Sequence, residues 1–435
     1  MPTCSAAPCG AGTSYELVKT LRDCLMGKVK AAKVWLPGAD GVLRDTGKVV
    51  AIKILLKSCI QSGTTMDCRP VQEDPMQEMA ALRYLQGHPH VLELLDLMED
   101  DEHVFEVMEF AGGGDMFSRV AEAPGGHLSE AEAQRYFYQL ITGLHFMHSK
   151  GVVHRDLSLE NALLAGDDVL KIIDMGLATE LPVPDHSPIP RQRVGKTGYM
   201  SPEVYDRSEV QDGRLVDTWC TGIMLFIMLF GVPPYRVPCA RSCRLFGFLQ
   251  KGRLLDLVKH WGKDGNASVE AKDLVSRLLH PQAAQRLVCE DILAHPWLAT
   301  YHAQHKAAVF ADPDYDAVIQ RLRQATILGQ RAAAEATASP AHSPASGVLL
   351  PMEVPPTTSA TAAAAAGTAT AGPAAVASGT GVGGLHTAAA PGAVAATGPA
   401  PPTGLAPISI PVAEPHTSGV VNSEGEGEED DVSFA

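Results

Sequence analysis

The order in which two hydrophobic periodicities follow one another constrains this chain most. From Tyr15 to Ile54 it reads as strands, apolar and β-branched residues broken by a Pro-Gly-Ala-Asp-Gly turn at 37–41. From Pro75 to Leu85 the pattern turns helical, and from Val91 to Phe110 it returns to strands. Beyond Ser129 helices dominate, with Ser129 as the N-cap of an amphipathic run to about His148. Strands first and helices afterwards predict an α+β molecule of two lobes, a small β-rich N-lobe on a larger helical C-lobe.

Composition limits how much of the 435 residues this fold can use. The length alone allows two or three domains. Residues 1–14 are small and rich in Cys, Ala and Gly, and are expected to be disordered. From about 336 the text becomes Ala, Pro, Gly and Thr with little charge, too poor in apolar bulk to order itself. We therefore expect one folded domain at 15–298, a helical extension over 299–335, and a low-complexity, disordered tail over 336–435. The tail closes on an acidic run, Glu424 to Asp431.

The net charge is −15, from 35 basic and 50 acidic residues. Residues 301–435 hold 4 of the basic and 12 of the acidic groups, which leaves 31 and 38 in the first 300. Neither part carries the basic stripe of a nucleic-acid binder. No basic segment followed by an apolar run opens the chain, and Pro2 excludes N-myristoylation. The longest apolar run, Cys220 to Val232, is too short to cross a bilayer and reads as a buried helix. Nine cysteines without a CxxC pair read as free thiols of a reducing compartment. The expectation is a soluble intracellular protein, cytoplasmic or nuclear, with no nucleic acid and no membrane among its partners.

Short strings carry the chemistry, and their order matters more than any one of them. Val50-Ala51-Ile52-Lys53 closes a predicted strand, and Glu78 lies on the helix that follows. His154-Arg155-Asp156 precedes Asn161, then come Asp174-Met175-Gly176 and Ser201-Pro202-Glu203. Asp217-x-Trp219-x-x-Gly222 opens a very apolar helix, and Arg286 stands near the end. In order and spacing this set resembles the eukaryotic protein kinase signature, over about two thirds of the chain. Met108-Glu109-Phe110 and Leu229-Phe230-Gly231-Val232-Pro233-Pro234-Tyr235 resemble the calmodulin-dependent and AMP-activated kinase group most.

That resemblance implies a two-lobed protein kinase fold, with ATP and Mg²⁺ as cofactors and protein serine/threonine hydroxyls as substrate. Phosphoryl transfer asks for positioning and charge neutralisation. By resemblance, Lys53 holds the α- and β-phosphates and is oriented by Glu78. Asp174 and Asn161 supply the hard oxygen ligands of magnesium, and Asp156 accepts the proton of the substrate hydroxyl. Adenine lies between Val29 and Ala51 above and Leu163 below, with backbone groups of Glu109 and Ala111 at its edge and Met108 as gatekeeper. Leu21, Gly27 and Asp115 complete the ATP-binding positions. Asp217 braces the catalytic loop, and Glu203 with Arg286 forms a structural ion pair.

The chain departs from the family in four places. Aligned on Lys28-Val29, the three glycine positions of the phosphate-covering loop are Arg22, Cys24 and Gly27, and only the last is glycine; a Cβ hinders the approach of backbone N–H groups to phosphate. Ser158 replaces the usual catalytic-loop lysine, while Lys196 occupies the place of its activation-segment threonine partner. The expectation is that Lys196 supplies the missing charge and Ser158 accepts its hydrogen bond, so that both belong to the catalytic set. Gln192 stands where the activating threonine would be, yet Arg155 is kept. Ser187-Pro188 is then the regulatory candidate, its phosphate gripped by Arg155, Arg191 or Arg193. Asp115 and Glu160 match acidic residues that select basic side chains upstream of the target hydroxyl. The alternative reading is a pseudokinase, a scaffold or allosteric partner with turnover lost. Two look-alikes are set aside: Gly379-x-Gly381-x-x-Gly384 has no strand before it, and Gly195-Lys196-Thr197 lacks the first Walker glycine at Pro190.

Overall fold

In a computed structural model, residues 12–309 are described, apart from 167, 182–188, 190–191 and 208–211. The expectations for the tail and for Ser187 lie outside the described residues.

The N-lobe is one antiparallel sheet built from β1 (Ser14–Cys24), β2 (Gly27–Pro37), β3 (Leu43–Leu56), β4 (Leu94–Glu99) and β5 (His103–Glu109), in the order β1-β2-β3-β5-β4. The short helix α1 (Lys57–Ser62) continues β3, and α2 (Pro75–Tyr84) carries Glu78. Asp74 starts α2 by accepting the amide of Met76 at 2.9 Å, with Pro75 preset for the first turn. Because cross-strand partners share a face, register sorts the sheet. Val29, Lys53 and Glu106 form one row, and Ala31, Ala51 and Met108 the next. The opposite face holds its own small core of Ala32, Val50, Ile52, Phe105 and Val107.

In the C-lobe, α3 (Met116–Glu122) leads to α4 (Glu130–Ser149), whose start is the predicted one. Ser129 accepts from the Glu132 amide, and Glu132 reaches back to the Ser129 amide. Short strands β6 (Val152–Val153), β7 (Ala162–Ala165), β8 (Val169–Ile172) and β9 (Thr179–Glu180) frame the loops that face the N-lobe. Below them come α5 (Pro202–Tyr205), α6 (Gly213–Phe230), α7 (Arg244–Gln250), α8 (Leu254–His260), α9 (Val269–Leu278), α10 (Cys289–Ala294) and α11 (Pro296–Val309). Helix α6 has the length and apolar composition of a membrane span, yet all of its residues are buried among the other helices. α11 covers the beginning of the expected helical extension.

Candidate active site

Five pieces of chain meet where the sheet faces the helical lobe. β3 supplies Lys53, and its Nζ is bonded to Glu78 Oε2 of α2. Burial works against the ammonium, but Glu78, Glu106 and Asp174 outweigh it and hold Lys53 charged. Burial likewise raises Glu78, against the pull of Lys53.

The loop between β6 and β7 carries Asp156. Asp217 of α6 holds this loop from beneath, its carboxylate accepting the amides of His154 at 2.8 Å and Arg155 at 2.7 Å. His148 of α4 meets the same carboxylate at 2.9 Å. Arg155 is thereby kept at φ 69°, a left-handed conformation that an arginine adopts only when its surroundings impose it. Asn161 donates through Nδ2 to the Asp156 backbone oxygen at 2.9 Å and to its carboxylate at 3.1 Å. Burial pushes Asp156 up to about 6, opposed by the charge of Lys196. Asp174 follows β8 at φ 68°, and the amide of Ile173 just before it donates to the Asn161 carbonyl at 3.1 Å.

The activation segment brings Lys196 to the same loop. Its amide donates to Asp156 Oδ1 at 3.0 Å and its Nζ to Ser158 Oγ at 2.8 Å, with Glu160 Oε1 at 3.6 Å. Gly195, at φ 90°, lies so close that a Cβ would sit 3.0 Å from the Arg155 oxygen. Glu160 also accepts from Tyr199 Oη at 3.2 Å, so the acidic group expected to face substrate already has two internal partners. Asp115 caps α3, accepting from the Ser118 amide at 2.7 Å.

Arg155 donates to Thr179 Oγ1 at 3.0 Å and to Gln192 Oε1 at 3.4 Å, while Arg193 lies over the Tyr205 ring at 3.7 Å. Gln192 thus meets the arginine that a phosphate was expected to meet. Glu203 and Arg286 form a bidentate pair at 2.6 and 2.8 Å, and the guanidinium stacks on Trp219.

Register puts Ala51 opposite Met108, two of the positions expected to face adenine. Val29, Ala51 and Leu163 are half-buried, Met108 is buried and Leu21 is exposed. Glu109 is tied by its side chain to Lys171 at 2.7 Å and to the Glu93 amide at 2.9 Å, and its own amide donates to the Glu93 oxygen. The β1–β2 turn is a two-residue reversal, Cys24 pairing with Gly27. Its tip is fastened: the Leu56 amide donates to Met26 O at 3.0 Å and the Met66 amide to Leu25 O at 3.2 Å. Met26 packs on Leu55 and Cys59. A Cβ on Gly27 would lie 1.9 Å from the Ile54 carbonyl oxygen. Strand packing therefore accounts for this glycine, whatever it does for phosphate.

Two residues escaped the sequence reading. Glu106 is fully buried on β5, opposite Lys53, and burial pushes it up to about 8. A lone charge amid His103-Val-Phe-Glu-Val-Met was the available signal. Glu73 packs against Gly176, and burial with the charge of Asp174 pushes it up to about 7. The amide of Asp74, next to it, donates to the Gly176 oxygen at 3.0 Å. No local pattern marked it.

A strand lysine paired to a helix glutamate, above a braced loop with an aspartate and an asparagine, defines a protein kinase domain. Residues 27–298 match the protein kinase domain family. CBL-interacting protein kinase 4 of Oryza sativa subsp. japonica is 36% identical over 65% of this chain and 57% of the relative. Calcium-dependent protein kinase 21 of Arabidopsis thaliana is 32% identical over 64% and 48%. Calcium/calmodulin-dependent protein kinase type 1 of Macrobrachium nipponense is 32% identical over 59% and 69%. The chain belongs to the eukaryotic protein kinase family, serine/threonine type, in the calmodulin-dependent-like group. It spans 56% and 57% of the length of two CBL-interacting relatives from rice. The family uses ATP and Mg²⁺ and acts on proteins.

Proposed function

We propose that the chain transfers the γ-phosphate of ATP to serine or threonine hydroxyls of protein substrates. The observation that carries this is the formed Lys53–Glu78 pair above an Asp156 that Asn161 and Lys196 both hold in place. Lys53 binds the nucleotide phosphates as a fixed cation. Asp156, oriented by two hydrogen bonds, takes the proton of the hydroxyl as it attacks. The donor set suits magnesium. Asn161 spends Nδ2 on Asp156, which leaves its Oδ1, with the Asp174 carboxylate, as hard oxygen ligands. There the ion would neutralise phosphate charge.

Lys196 and Ser158 act together. The cation sits on the activation segment and the hydroxyl fixes it beside Asp156, in the place where the transferring group gains charge. The Lys196–Glu160 contact offsets one of the two acids expected to select basic residues. Asp115 is the remaining one, so preference for upstream basic side chains is weak. On regulation, phosphate on Ser187 would displace Gln192 from Arg155. Seven reduced cysteines among the described residues suit work inside the cell.

A second reading, a pseudokinase, is favoured by the β1–β2 turn, with Arg22 and Cys24 where glycines are expected and its tip fastened down. A transfer assay with Mg²⁺, ATP and a basic serine peptide separates the two. The expected result is transfer by the wild type that disappears in Asp156→Asn. No transfer by either, with the protein folded and Ser187 phosphorylated, would establish the pseudokinase.

A further inference from the structure

Lys53 faces a second buried carboxylate that no role yet accounts for. Glu106 has no exposed surface, and among the described residues neither of its carboxylate oxygens meets a hydrogen-bond donor. It stands directly across the ladder from Lys53, β3 against β5, on the same face of the sheet. Side chains so placed have Cβ atoms about 4.5–5.5 Å apart. After Glu78, it is the carboxylate whose charge does most to keep Lys53 protonated.

An ionised carboxylate cannot remain buried and alone; it must take a proton or a cation. Among the described residues, the groups around Glu106 offer one cation, Lys53. The others with charge are Glu78 on α2 and Asp174 after β8, both acidic; Leu97 of β4, paired on its far side, is apolar. An ammonium has three donors, and only one is needed for Glu78.

We propose that Glu106 is a second anchor for Lys53, which keeps the lysine charged and in place when the Glu78 carboxylate is lost. Lys53 is then shared between a carboxylate on a helix and one on the sheet. Glu106 is a positioning residue: it acts through Lys53 and touches no substrate. Loss of Glu78 is therefore partly compensated within the sheet. The proposal rests on the reading of Lys53 as the nucleotide-holding cation, but its test needs neither nucleotide nor turnover.

The test is a double-mutant cycle on the full chain, with Glu78→Gln, Glu106→Gln, Glu106→Leu and the doubles. The readout is the rate at which trace acetic anhydride acetylates Lys53 at pH ~9, where Glu106 is ionised, followed on its peptide by mass spectrometry. Only the neutral amine reacts, so the rate reports how firmly the charge is held. Glu78→Gln is expected to raise the rate less than about 3-fold, and the double with Glu106→Leu about 30-fold or more. Glu106→Gln keeps the shape without the charge and should give the same pattern, so poor folding of the leucine variant cannot hide the answer. Equal effects of Glu78→Gln with and without Glu106 would overturn the proposal. Failure of phosphate transfer with this cycle intact would instead remove the kinase reading and leave the anchor standing.

Discussion

Lys196 Nζ donates to Ser158 Oγ at 2.8 Å, across the boundary between the activation segment and the catalytic loop. The cation and its partner have changed sides relative to the family arrangement, and the contact is made all the same. If the charge serves the transition state, Lys196→Ala should lower kcat by about 10²-fold with little change in KM for peptide. Ser158→Ala should cost less, because Glu160 still holds the ammonium. The decisive variant is the exchange Ser158→Lys with Lys196→Thr. It should recover most of the loss seen in Lys196→Thr alone, and steady-state kinetics at saturating ATP would show an unrecovered kcat if the side of the cleft matters.

With Asp156 as the proposed base, activity should depend on pH with a definite sign. Burial raises its carboxyl to about 6, so the base is lost as pH falls through that value. The acid limb of kcat/KM should have its midpoint near pH 6. Lys196 opposes the rise, so Lys196→Met should move the limb to higher pH. A limb left in place in that variant would mean that the midpoint belongs to another group.

How far this site was legible depended on whether its signal was local. Ser129 as a helix cap and Pro75 at the head of the helix that carries Glu78 are written in adjacent residues, and those elements begin there; α6 instead begins at Gly213, before the Asp217 expected to open it, because Asp212 caps it. The pairing of Lys196 with Ser158 was legible because two exchanged positions pointed at each other. Glu106 was not, since only the β3–β5 register puts it opposite Lys53. Glu73 was not, because it reaches the cleft through a loop packed on Gly176. The fastening of the β1–β2 tip to Leu56 and Met66 depends on the segment after α1, whose path no periodicity describes.

Gln192 occupies the arginine that a phosphate was expected to meet. Its amide oxygen accepts from Arg155, which also holds Thr179. Gln192→Ala should lower basal activity several-fold, roughly the worth of one hydrogen bond to a charged donor. It should also deepen dependence on modification. Treating wild type and variant with a proline-directed kinase would show this: a larger fold-activation in Gln192→Ala is expected, and none in Ser187→Ala. Equal activation of Ser187→Ala would remove that serine from the account.

Buried pairs are costly to break from one side. Arg286 is nearly inaccessible and bonds Glu203 through two nitrogens. Arg286→Met leaves the Glu203 carboxylate without its cation and should destabilise the domain by about 3–5 kcal/mol. The double variant with Glu203→Leu should lose distinctly less than the single, read as urea midpoints at constant m-value.

The β1–β2 turn separates two meanings of glycine. At Gly27 the neighbour is the Ile54 backbone, so Gly27→Ala has nowhere to put its methyl and should lower the melting temperature by several degrees. Nucleotide should not repair this, because the clash lies between strands. At position 24 the fault runs the other way. Cys24 packs at the rim of the Met26–Leu55–Cys59 cluster, half-buried, at a position where glycine would let backbone approach a phosphate. Cys24→Gly should cost about 1 kcal/mol of stability and tighten ATP binding several-fold, measured by titration with a fluorescent ATP analogue and Mg²⁺. An unchanged Kd would show that the fastened tip, held by the Leu56 and Met66 amides, limits nucleotide binding instead.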